Sequence, residues 1–545
     1  MSAQGLNLLV FRDGRQVLSG SAAKTALSQH IRLAQRSFHP AENLSSLLQA
    51  GELECALADS AAGTAQFETI TDAMAEALVN GAPVPNVENL PAILDSTPVP
   101  ERLAVSIPEG FAFYALHPLA YAEVVQQFAA LPPRVAVIGI RSVGTTLSAV
   151  TAAALKRRGV QAARTTVRPT GHPYNRRMEF SGEQLEFVRR EISASGIFLV
   201  VDEGPGLSGS SFLSVAEALV QAGVAAEKIT LVCSHAVDAD HLCAENAAKR
   251  WRKFRSIAVS TEPRQPLDAQ VWVGGGEWRR YLLRDEPDWP ASWVSFERLK
   301  YFSGRSIAPR FYKFAGYGRY GEEVRQREEK VAAAGFGPAP EIASDGYMSY
   351  PFVDGRPMAA SDLAEGVLAR LAAYCAYRAG AFPAEVAAPA ALQQMAQHNL
   401  RELEIDVPLE LRLERGVIAD GRMQPHEWLL TRQGQMRKCD SGSHGDDHFF
   451  PGATDIAWDL AGAIVEWQMD AEEAESFLEM YRRASGDNAQ TRVLGYITAY
   501  TVFRYAYCRM AANALQGMEE QARLERAADC YRARLFAVDF ADIRR

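Results

Sequence analysis

The chain has 545 residues, and at about 150 residues per domain this length excludes a single hydrophobic core. Hydrophobic residues make up 48% of the sequence and charged residues 23%, which is usual for a globular protein and excludes disordered, collagen-like and coiled-coil classes. The 57 basic and 66 acidic residues leave a net charge of −9, so we expect no bulk binding of nucleic acid and no attraction to anionic membranes.

The seven cysteines are scattered and never form a C-x-x-C pair, which argues against a disulfide framework or a zinc ribbon. No apolar run approaches the roughly 18–20 residues that cross a bilayer, and the first residues carry charges too early for a signal peptide. We therefore expect a cytoplasmic protein without a membrane segment.

Four regions differ in pattern and predict the domain organisation. They are an accessory N-terminal region, an α/β domain, a connector or hood segment and an α+β domain, at 1–98, 99–260, 261–300 and 301–545. The first opens with a predicted strand pair around the turn Asp13-Gly14 and ends in a proline-rich linker at 83–100. The second alternates short β-branched runs with amphipathic helices, which predicts a parallel sheet.

The most informative stretch joins a buried strand, IFLVV, to a helix through Asp202, Glu203 and a loop rich in glycine and serine. The backbone N–H groups of residues 207–211 converge at the start of that helix, where the helix dipole and the serine hydroxyls favour a phosphate. The two carboxylates beside them suit the two hydroxyls of a ribose. The stretch therefore fits a sugar phosphate.

This stretch resembles the signature of type I phosphoribosyltransferases, which use phosphoribosyl pyrophosphate (PRPP), and the resemblance covers roughly residues 99–260. In that family a second loop holds the pyrophosphate, and VAVIGIRSVGTT supplies a match. The resemblance implies a pentosyltransferase in which Asp202, Glu203 and Arg141 are catalytic, and in which Mg²⁺ and arginines neutralise the departing pyrophosphate. It also implies that PRPP contacts Ser142, Gly144, Thr145, Arg168, Arg176, Leu207, Ser208, Gly209, Ser210 and Ser211.

Two other interpretations of this stretch stay open. GPGLSG also fits the dinucleotide fingerprint G-x-G-x-x-G, although the next strand ends in Ser234-His235 instead of the expected acid. The other is an ordinary strand–turn–helix with two chance acids. The arginine-rich segment 164–177, taken alone, is more often a solvated face than an anion site.

A second candidate site lies in the α+β domain. Lys313 ends a predicted strand, a helix carries Glu328, and a predicted hairpin at 428–440 ends in Asp440. This arrangement resembles the protein-kinase-like fold of the aminoglycoside phosphotransferase and choline kinase family. The resemblance implies that Lys313 pairs with the ATP phosphates and with Glu328, and that Asp440 holds Mg²⁺. Without it, Lys313 reads as a surface lysine on an edge strand.

The catalytic loop of that family, H-G-D-x-x-P-x-N, aligns with DGRMQPHE. Glu427 then stands where the metal-binding asparagine belongs, 13 residues before Asp440, so Mg²⁺ is expected between Glu427 and Asp440. Arg422 stands where the catalytic aspartate belongs, and an arginine cannot accept a proton because it is already protonated. We therefore expect ATP binding, with phosphoryl transfer changed or lost.

The segment 441–450, SGSHGDDHFF, offers further polar side chains directly after Asp440. Its candidate metal ligands are His444, Asp446, Asp447 and His448. An exposed loop is the favoured interpretation of this segment, with a metal site or a replacement base as the alternative, and Asp420 and His426 are further candidates for that base. Asp459 is expected to brace the catalytic loop.

Two functions follow from these sites. The first is an enzyme that transfers phosphoribosyl from PRPP to a small acceptor and carries an ATP-binding module that phosphorylates the same metabolite. The second is a non-catalytic nucleotide-sensing or regulatory protein. Arg422, at the position of the catalytic aspartate, is the residue that favours this second function. A dinucleotide-dependent redox domain is a third possibility.

Overall fold

The computed structural model describes most of the chain between residues 7 and 537. The described ranges are 7–12, 14–36, 38–60, 65–84, 89–128, 130, 132–172, 174–259, 264–283, 286, 289–304, 308–386, 390–407, 409–445, 447–450 and 452–537. They divide into two compact units. The sheet unit consists of the described parts of Arg15–Gln265 and Gly316–Gly321, and the helical unit of those of Met1–Gly14, Pro266–Ala315 and Glu322–Arg545.

The sheet unit begins with a strand pair and four helices. Strand β1 (Arg15–Ser19) pairs antiparallel with β2 (Arg102–Ser106). The helices between them are α1 (Gly20–Arg36), α2 (Pro40–Asp59), α3 (Ala65–Asn80) and α4 (Asn89–Ser96). Helix α4 falls within the stretch 83–100 that the sequence predicted as a linker.

The predicted strand pair around Asp13-Gly14 is wrong. Residues 7–12 belong to the helical unit, where Phe11 forms an isolated bridge with Phe449, while β1 pairs with β2. A strand pattern beside a turn dipeptide does not fix a partner, because any free sheet edge offers the same backbone hydrogen bonds. Asp13 itself lies outside the described residues.

The centre of the sheet unit is a five-stranded parallel sheet, as the sequence predicted. The remaining elements of this unit are α5 (Glu109–Ala112), β3 (Arg134–Ile140), α6 (Val143–Arg157), β4 (Gln161–Val167), β5 (Thr170–His172), β6 (Asn175–Arg177), α7 (Gly182–Ser193), β7 (Ile197–Val201), α8 (Ser210–Gln221), β8 (Ile229–Cys233), α9 (Ala247–Trp251) and β9 (Arg255–Ala258). The sheet order is β4-β3-β7-β8-β9, and β5 and β6 form a separate hairpin.

The strands of this sheet are continuous apolar runs. All residues of β8, and all but the first of β3 and β7, are buried. Such runs are typical of parallel strands that are covered on both faces. Along the chain, helices alternate with most strands of this sheet. The loops at the carboxyl ends of β3 and β7 lead directly into α6 and α8.

The helical unit contains a five-stranded antiparallel sheet. Its elements are β10 (Ala269–Trp272), α10 (Arg279–Leu282), β11 (Lys300–Ser303), β12 (Arg310–Phe314), α11 (Arg319–Ala333), β13 (Glu341–Ile342) and β14 (Tyr347–Pro351). The strand order is β10-β11-β12-β14-β13, so β12 lies at the centre. The first three residues of α11 belong to the sheet unit and the rest to the helical unit.

The remainder of the helical unit is mainly helical. It contains β15 (Gly355–Pro357), α12 (Glu365–Ala381), α13 (Ala390–Glu402), β16 (Gly416–Ile418), β17 (Trp428–Thr431), β18 (Met436–Lys438), β19 (Ala453–Asp455), α14 (Ala457–Glu466), α15 (Ala471–Ser485), α16 (Gln490–Ala514) and α17 (Glu519–Ala537). The predicted hairpin is confirmed as the antiparallel pair β17–β18. In the part of the chain that the structure describes, no helix has the length and apolar character needed to span a membrane.

Candidate functional site

The loops after β3 and β7 meet at one edge of the parallel sheet. Gly139 and Val201 are paired at the ends of these strands, so the two carboxyl ends lie side by side. A Cβ atom on Gly144 would lie 2.6 Å from the carbonyl oxygen of Val201 and 3.2 Å from Oδ1 of Asp202. Only a glycine permits this approach, which brings the first turn of α6 against the first carboxylate after β7.

Both acids of the predicted pair are half-buried. The carbonyl oxygen of Asp202 accepts a hydrogen bond from the Tyr121 hydroxyl at 2.5 Å, and Oε2 of Glu203 accepts one from the Gly110 N–H at 3.0 Å. Burial raises the pKa of Asp202 to about 7, and burial together with the charge of Glu109 raises the pKa of Glu203 to about 8. Near neutral pH the two carboxyls are therefore poised between a hydrogen-bond donor form and an acceptor form.

The predicted phosphate loop before α8 is compact. Gly209 has a φ of 68°, a left-handed conformation that favours glycine. The Ser208 hydroxyl accepts a hydrogen bond from the Ser210 N–H at 3.2 Å and donates to the Ser210 hydroxyl at 3.0 Å. Leu207 is 62% exposed, whereas its carbonyl accepts a hydrogen bond from the Cys243 N–H. These hydrogen bonds fix the loop, and Ser211, the second residue of α8, is half-buried.

The start of α6 carries strain and an unpartnered hydroxyl. Ser142 has a φ of 106°, which residues with a side chain rarely adopt. Thr145 is fully buried, and its hydroxyl has no hydrogen-bond partner among the described residues. Strained backbone of this kind clusters at ligand-binding loops. Two residues of the predicted pyrophosphate loop therefore show features of a ligand site.

Two of the predicted arginines come together on one acid. The Arg141 Nη1 lies 3.2 Å from Asp59 Oδ1, and the Arg168 Nη2 lies 2.5 Å from Asp59 Oδ2. Arg168 also donates to the carbonyl oxygen of Arg141 at 2.9 Å. Both guanidinium groups are thus held just beyond β3 and β4 by a carboxylate at the end of α2.

Arg164 and Arg176 of segment 164–177 have partners other than Asp59. Arg164 is buried on β4 and forms a bidentate pair with Glu54 at 2.7 and 3.0 Å, so its role is structural. Arg176 lies on β6 and donates to the carbonyl oxygen of Gly171 at 2.6 Å. Segment 164–177 spans the end of a strand and a hairpin, so arginines that are close in sequence point to different places.

In the helical unit, Lys313 is buried on a central strand. Strand β12 pairs with β11 on one side and with β14 on the other, so the edge-strand interpretation is wrong. The Nζ of Lys313 donates hydrogen bonds to the carboxylate of Asp440 and to the hydroxyl of Ser443. Burial alone favours the neutral amine and lowers the pKa of Lys313, and the Asp440 carboxylate opposes this. The two residues form a buried ion pair.

Glu328 lies on α11 and has other partners. Its carboxylate accepts hydrogen bonds from the Ser441 hydroxyl at 2.7 Å and from the N–H groups of Ser441 and Gly442 at 3.3 and 2.8 Å. These three hydrogen bonds satisfy the carboxylate, so Glu328 fixes the turn after Asp440. Lys313 forms its ion pair with Asp440 and not with Glu328.

Lys438, which the sequence analysis missed, lies among three acidic residues. Its Nζ is 3.6 Å from Asp420 Oδ1, 3.8 Å from Glu427 Oε2 and 2.6 Å from the carbonyl oxygen of Asp440. The residue is only 1% exposed. Burial works against its charge, but the neighbouring acids more than offset burial and raise its pKa. A signal was present, because residues two apart on a strand share a face and Lys438 follows the apolar Met436 by two on β18.

The residues present do not fit a divalent metal between Glu427 and Asp440. Mg²⁺ binds oxygen ligands at about 2.0–2.1 Å and is repelled by an ammonium group at the same place. Lys438 lies 3.8 Å from the Glu427 carboxylate and donates to the backbone carbonyl of Asp440, while the Asp440 carboxylate is already paired with Lys313 and lies 3.3 Å from the Nε2 of His444. Within the described ranges, no group of three or more His, Cys, Asp or Glu side chains is placed to hold a metal ion.

Asp459 braces the segment that aligns with the catalytic loop of the resembled family, as the sequence predicted. Its carboxylate accepts hydrogen bonds from the N–H groups of Asp420 and Gly421 at 2.8 and 3.0 Å. The side chain of Asp420 is itself buried and accepts a hydrogen bond from the Tyr374 hydroxyl. Asp420 is therefore engaged in the interior and is poorly placed to act as a base.

The aligned catalytic position offers no acid–base group. The guanidinium of Arg422 lies 5.8 Å from the ring centre of Tyr507. Burial opposes the charge of Arg422, but Tyr507 and Glu427 raise its pKa, so it stays protonated. His426 stacks on Trp278 at 5.8 Å, and burial lowers its pKa to about 3. Such an imidazole is a weak base.

The expectation of an exposed loop at 441–450 is wrong. Ser443 is fully buried, His448 is 5% exposed, and the side chain of His444 is 13% exposed. His448 stacks near Phe11 in an aromatic cluster, with the ring centres 5.8 Å apart. The apolar pair Phe449-Phe450 draws the segment inward. Asp446 lies outside the described residues.

No protein-family model matches the chain, and no curated protein matches it in sequence. Solved structures do match about half of it. They include the choline kinase LicA from Streptococcus pneumoniae (14% identity, 43% of this chain and 89% of that one, TM-score 0.30). Two others are a choline/ethanolamine kinase family protein from Mesorhizobium loti (17%, 45% and 87%, 0.32) and an aminoglycoside phosphotransferase from Alicyclobacillus acidocaldarius (13%, 52% and 97%, 0.32). Scores this low establish neither activity nor substrate for this chain.

Proposed function

We propose that the helical unit binds a nucleotide such as ATP through Lys313 and does not transfer its phosphoryl group. The observation that carries this proposal is the buried ion pair between Lys313 and Asp440. Lys313 lies on the central strand of the antiparallel sheet. A lysine held in this way presents a compact positive charge, which suits the phosphates of a nucleotide.

The aligned catalytic position supports binding without transfer. Phosphoryl transfer to a hydroxyl needs a group that accepts or orients the proton of that hydroxyl. Arg422 stays protonated and Asp420 is held by Tyr374, so neither supplies such a group. The function that follows is nucleotide sensing or regulation, in the same chain as a second ligand site.

Thermal unfolding with and without ATP tests this function. We expect ATP at about 100 times its dissociation constant to stabilise the chain by about 2.7 kcal/mol, and we expect no ATP turnover. Lys313→Met should abolish the stabilisation, whereas Lys330→Met, which removes an exposed lysine of the same unit, should retain it. ATP turnover that disappears in Asp440→Ala would instead establish an active phosphotransferase.

A second candidate function belongs to the sheet unit. We propose that the loops after β3 and β7, which we call the loop edge, bind PRPP. The sheet unit then acts as a pentosyltransferase of the glycosyltransferase class and transfers the phosphoribosyl group to a small acceptor. The close approach of Gly144 to Asp202 supports this, because it joins the predicted pyrophosphate loop to the predicted ribose-binding acid. Arg141 and Arg168 directly follow β3 and β4, and Thr145 lies in the first turn of α6, with a buried hydroxyl that has no partner among the described residues. These residues therefore belong to the loops at the carboxyl ends of the strands.

Calorimetric titration with PRPP and Mg²⁺ tests the second candidate. We expect Asp202→Asn/Glu203→Gln to weaken PRPP binding at least about tenfold at about pH 8.5, where both carboxyls are ionised in the wild type and two charge-assisted hydrogen bonds are lost in the variant. The matched control is Asp240→Asn/Glu227→Gln, which changes two exposed acids of the same unit. Equal affinity in all three proteins would remove the assignment, and NAD(P)H fluorescence titration would then test the dinucleotide alternative.

A further inference from the structure

The helical unit holds a fixed positive charge where the family resemblance places a metal ion. Lys438 is fully enclosed, and its Nζ contacts the carboxylates of Asp420 and Glu427 and the backbone carbonyl of Asp440. These oxygen atoms are the kind of ligands that Mg²⁺ prefers. The ammonium group donates a hydrogen bond to the Asp440 carbonyl and lies within ion-pair distance of the two carboxylates, so it balances their charge without a metal.

The backbone fixes Lys438 in this position. Its N–H donates to the carbonyl oxygen of Phe336 at 2.7 Å, and its residue pairs with Trp428 in the β17–β18 ladder. Trp428 is fully buried. Moving the ammonium out to admit a metal would therefore remove one of the two cations beside the buried Asp420, the other being Arg378, or disturb the hairpin.

The neighbourhood of Asp440 is already rich in cations. Lys313 donates to one carboxylate oxygen, and Lys300, which forms an ion pair with Glu297 at 3.0 Å, adds a further positive charge near Lys313. A divalent ion added here would face several fixed positive charges at short range. The acids Asp420, Glu427 and Asp440 are thus already balanced by ammonium groups.

We propose that Lys438 replaces the divalent metal of this site, so that the helical unit binds the phosphates of a nucleoside di- or triphosphate without Mg²⁺. The proposal rests on the nucleotide-binding function above and adds that this binding does not need Mg²⁺. Lys313 and Lys438 supply the positive charge on either side of Asp440, and no metal bridges the phosphates. No bond forms or breaks in this binding step.

Calorimetric titration of ADP in EDTA and in Mg²⁺ gives the first test. We expect the wild-type affinity to be the same within about twofold under both conditions. Lys438→Met should weaken ADP binding in EDTA about tenfold, while Arg437→Gln, the neighbour on the same strand, should not. Wild-type affinity that rises about tenfold or more with Mg²⁺ would overturn the proposal.

Electron paramagnetic resonance of Mn²⁺, without any nucleotide, gives an independent test. We expect no saturable Mn²⁺ binding at Asp440 in the wild type and a new site in Lys438→Met that Asp440→Asn removes. Wild-type binding of Mn²⁺ that Asp440→Asn abolishes would overturn the proposal. If ADP fails to bind under any condition, the nucleotide function falls, whereas the Mn²⁺ result still decides whether Lys438 excludes a metal.

A folding failure of Lys438→Met does not remove the test. Lys438→Arg keeps the positive charge, so it should still exclude Mn²⁺ and should keep ADP binding independent of Mg²⁺. Mn²⁺ binding in Lys438→Arg, at a temperature at which this variant and the wild type are both folded, would contradict the proposal that the positive charge at position 438 excludes a metal ion.

Discussion

Lys313 and Asp440 are 127 positions apart in the chain and form a buried ion pair. The pair joins the central strand of the antiparallel sheet to the residue that follows the β17–β18 hairpin. It therefore links the two parts of the predicted nucleotide site and gives the first prediction.

Removing one partner of this pair should destabilise the helical unit strongly. We expect Asp440→Asn to lower the free energy of unfolding by about 3–5 kcal/mol, because Lys313 would remain buried without its acid. The double variant Lys313→Met/Asp440→Asn should lose less than the sum of the two single variants. Urea unfolding of all four proteins measures the coupling, and strict additivity would contradict the pair.

Asp459 should be a stability residue. Asp459→Ala removes the acceptor of two backbone N–H groups and leaves Arg378, whose Nε is 3.6 Å from the Asp459 carboxylate, with less compensation. We expect a loss of about 3–5 kcal/mol in thermal or urea unfolding. Asp354→Ala, which breaks an exposed pair with Arg432, should cost less than about 1 kcal/mol. Similar losses in both variants would contradict the bracing role.

Gly144→Ala should disrupt the loop edge of the sheet unit. The added methyl group would meet the Val201 carbonyl, so the start of α6 must move away from Asp202. We expect PRPP binding to fall at least about tenfold. Gly182→Ala, at a helix start with open space around it, is the matched control and should bind as the wild type does. Unchanged PRPP binding in Gly144→Ala would show that the close approach of Gly144 to Asp202 is not needed for binding.

The stability of the sheet unit should decrease as the pH rises from about 4 to 8. Burial raises the pKa of Asp202 to about 7 and of Glu203 to about 8 in the folded chain, so folding favours their protonated forms. Their contribution is fully present below the unfolded pKa values near 4 and is lost as the pH passes the folded values. Unfolding of the wild type and of Asp202→Asn/Glu203→Gln, compared from pH 5 to 8.5, should show a flatter profile in the variant. Parallel profiles would contradict the raised pKa values.

The sequence predicted the parallel sheet because its strands are uniformly apolar and short, and it predicted that Asp459 braces an earlier loop because the spacing of the motif was long enough to bring the two together. It placed Lys313 on an edge in the absence of the resemblance, since strand order is a tertiary property. The strand partner of β1 was missed for the same reason: residues 15–19 pair with residues 102–106, beyond any local turn.

The electrostatic partners were beyond prediction from one sequence. Arg168 finds Asp59 across 109 positions and Arg164 finds Glu54 across 110, so a local arginine cluster gave no information on which side chains were already paired. Lys438 was missed because two adjacent charged residues in a three-residue strand, Arg437 and Lys438, suggest a solvent-facing strand. Its charge is balanced by the carboxylates of Asp420 and Glu427, which precede the hairpin.

The most direct test of binding without transfer is a ³¹P NMR titration of ATP with the full chain. We expect the phosphate resonances of ATP to shift or broaden with saturation in the wild type, no such change in Lys313→Met, and intact ATP after prolonged incubation. Unperturbed ATP resonances in the wild type, or the appearance of ADP together with a new phosphate resonance, would contradict the proposed function.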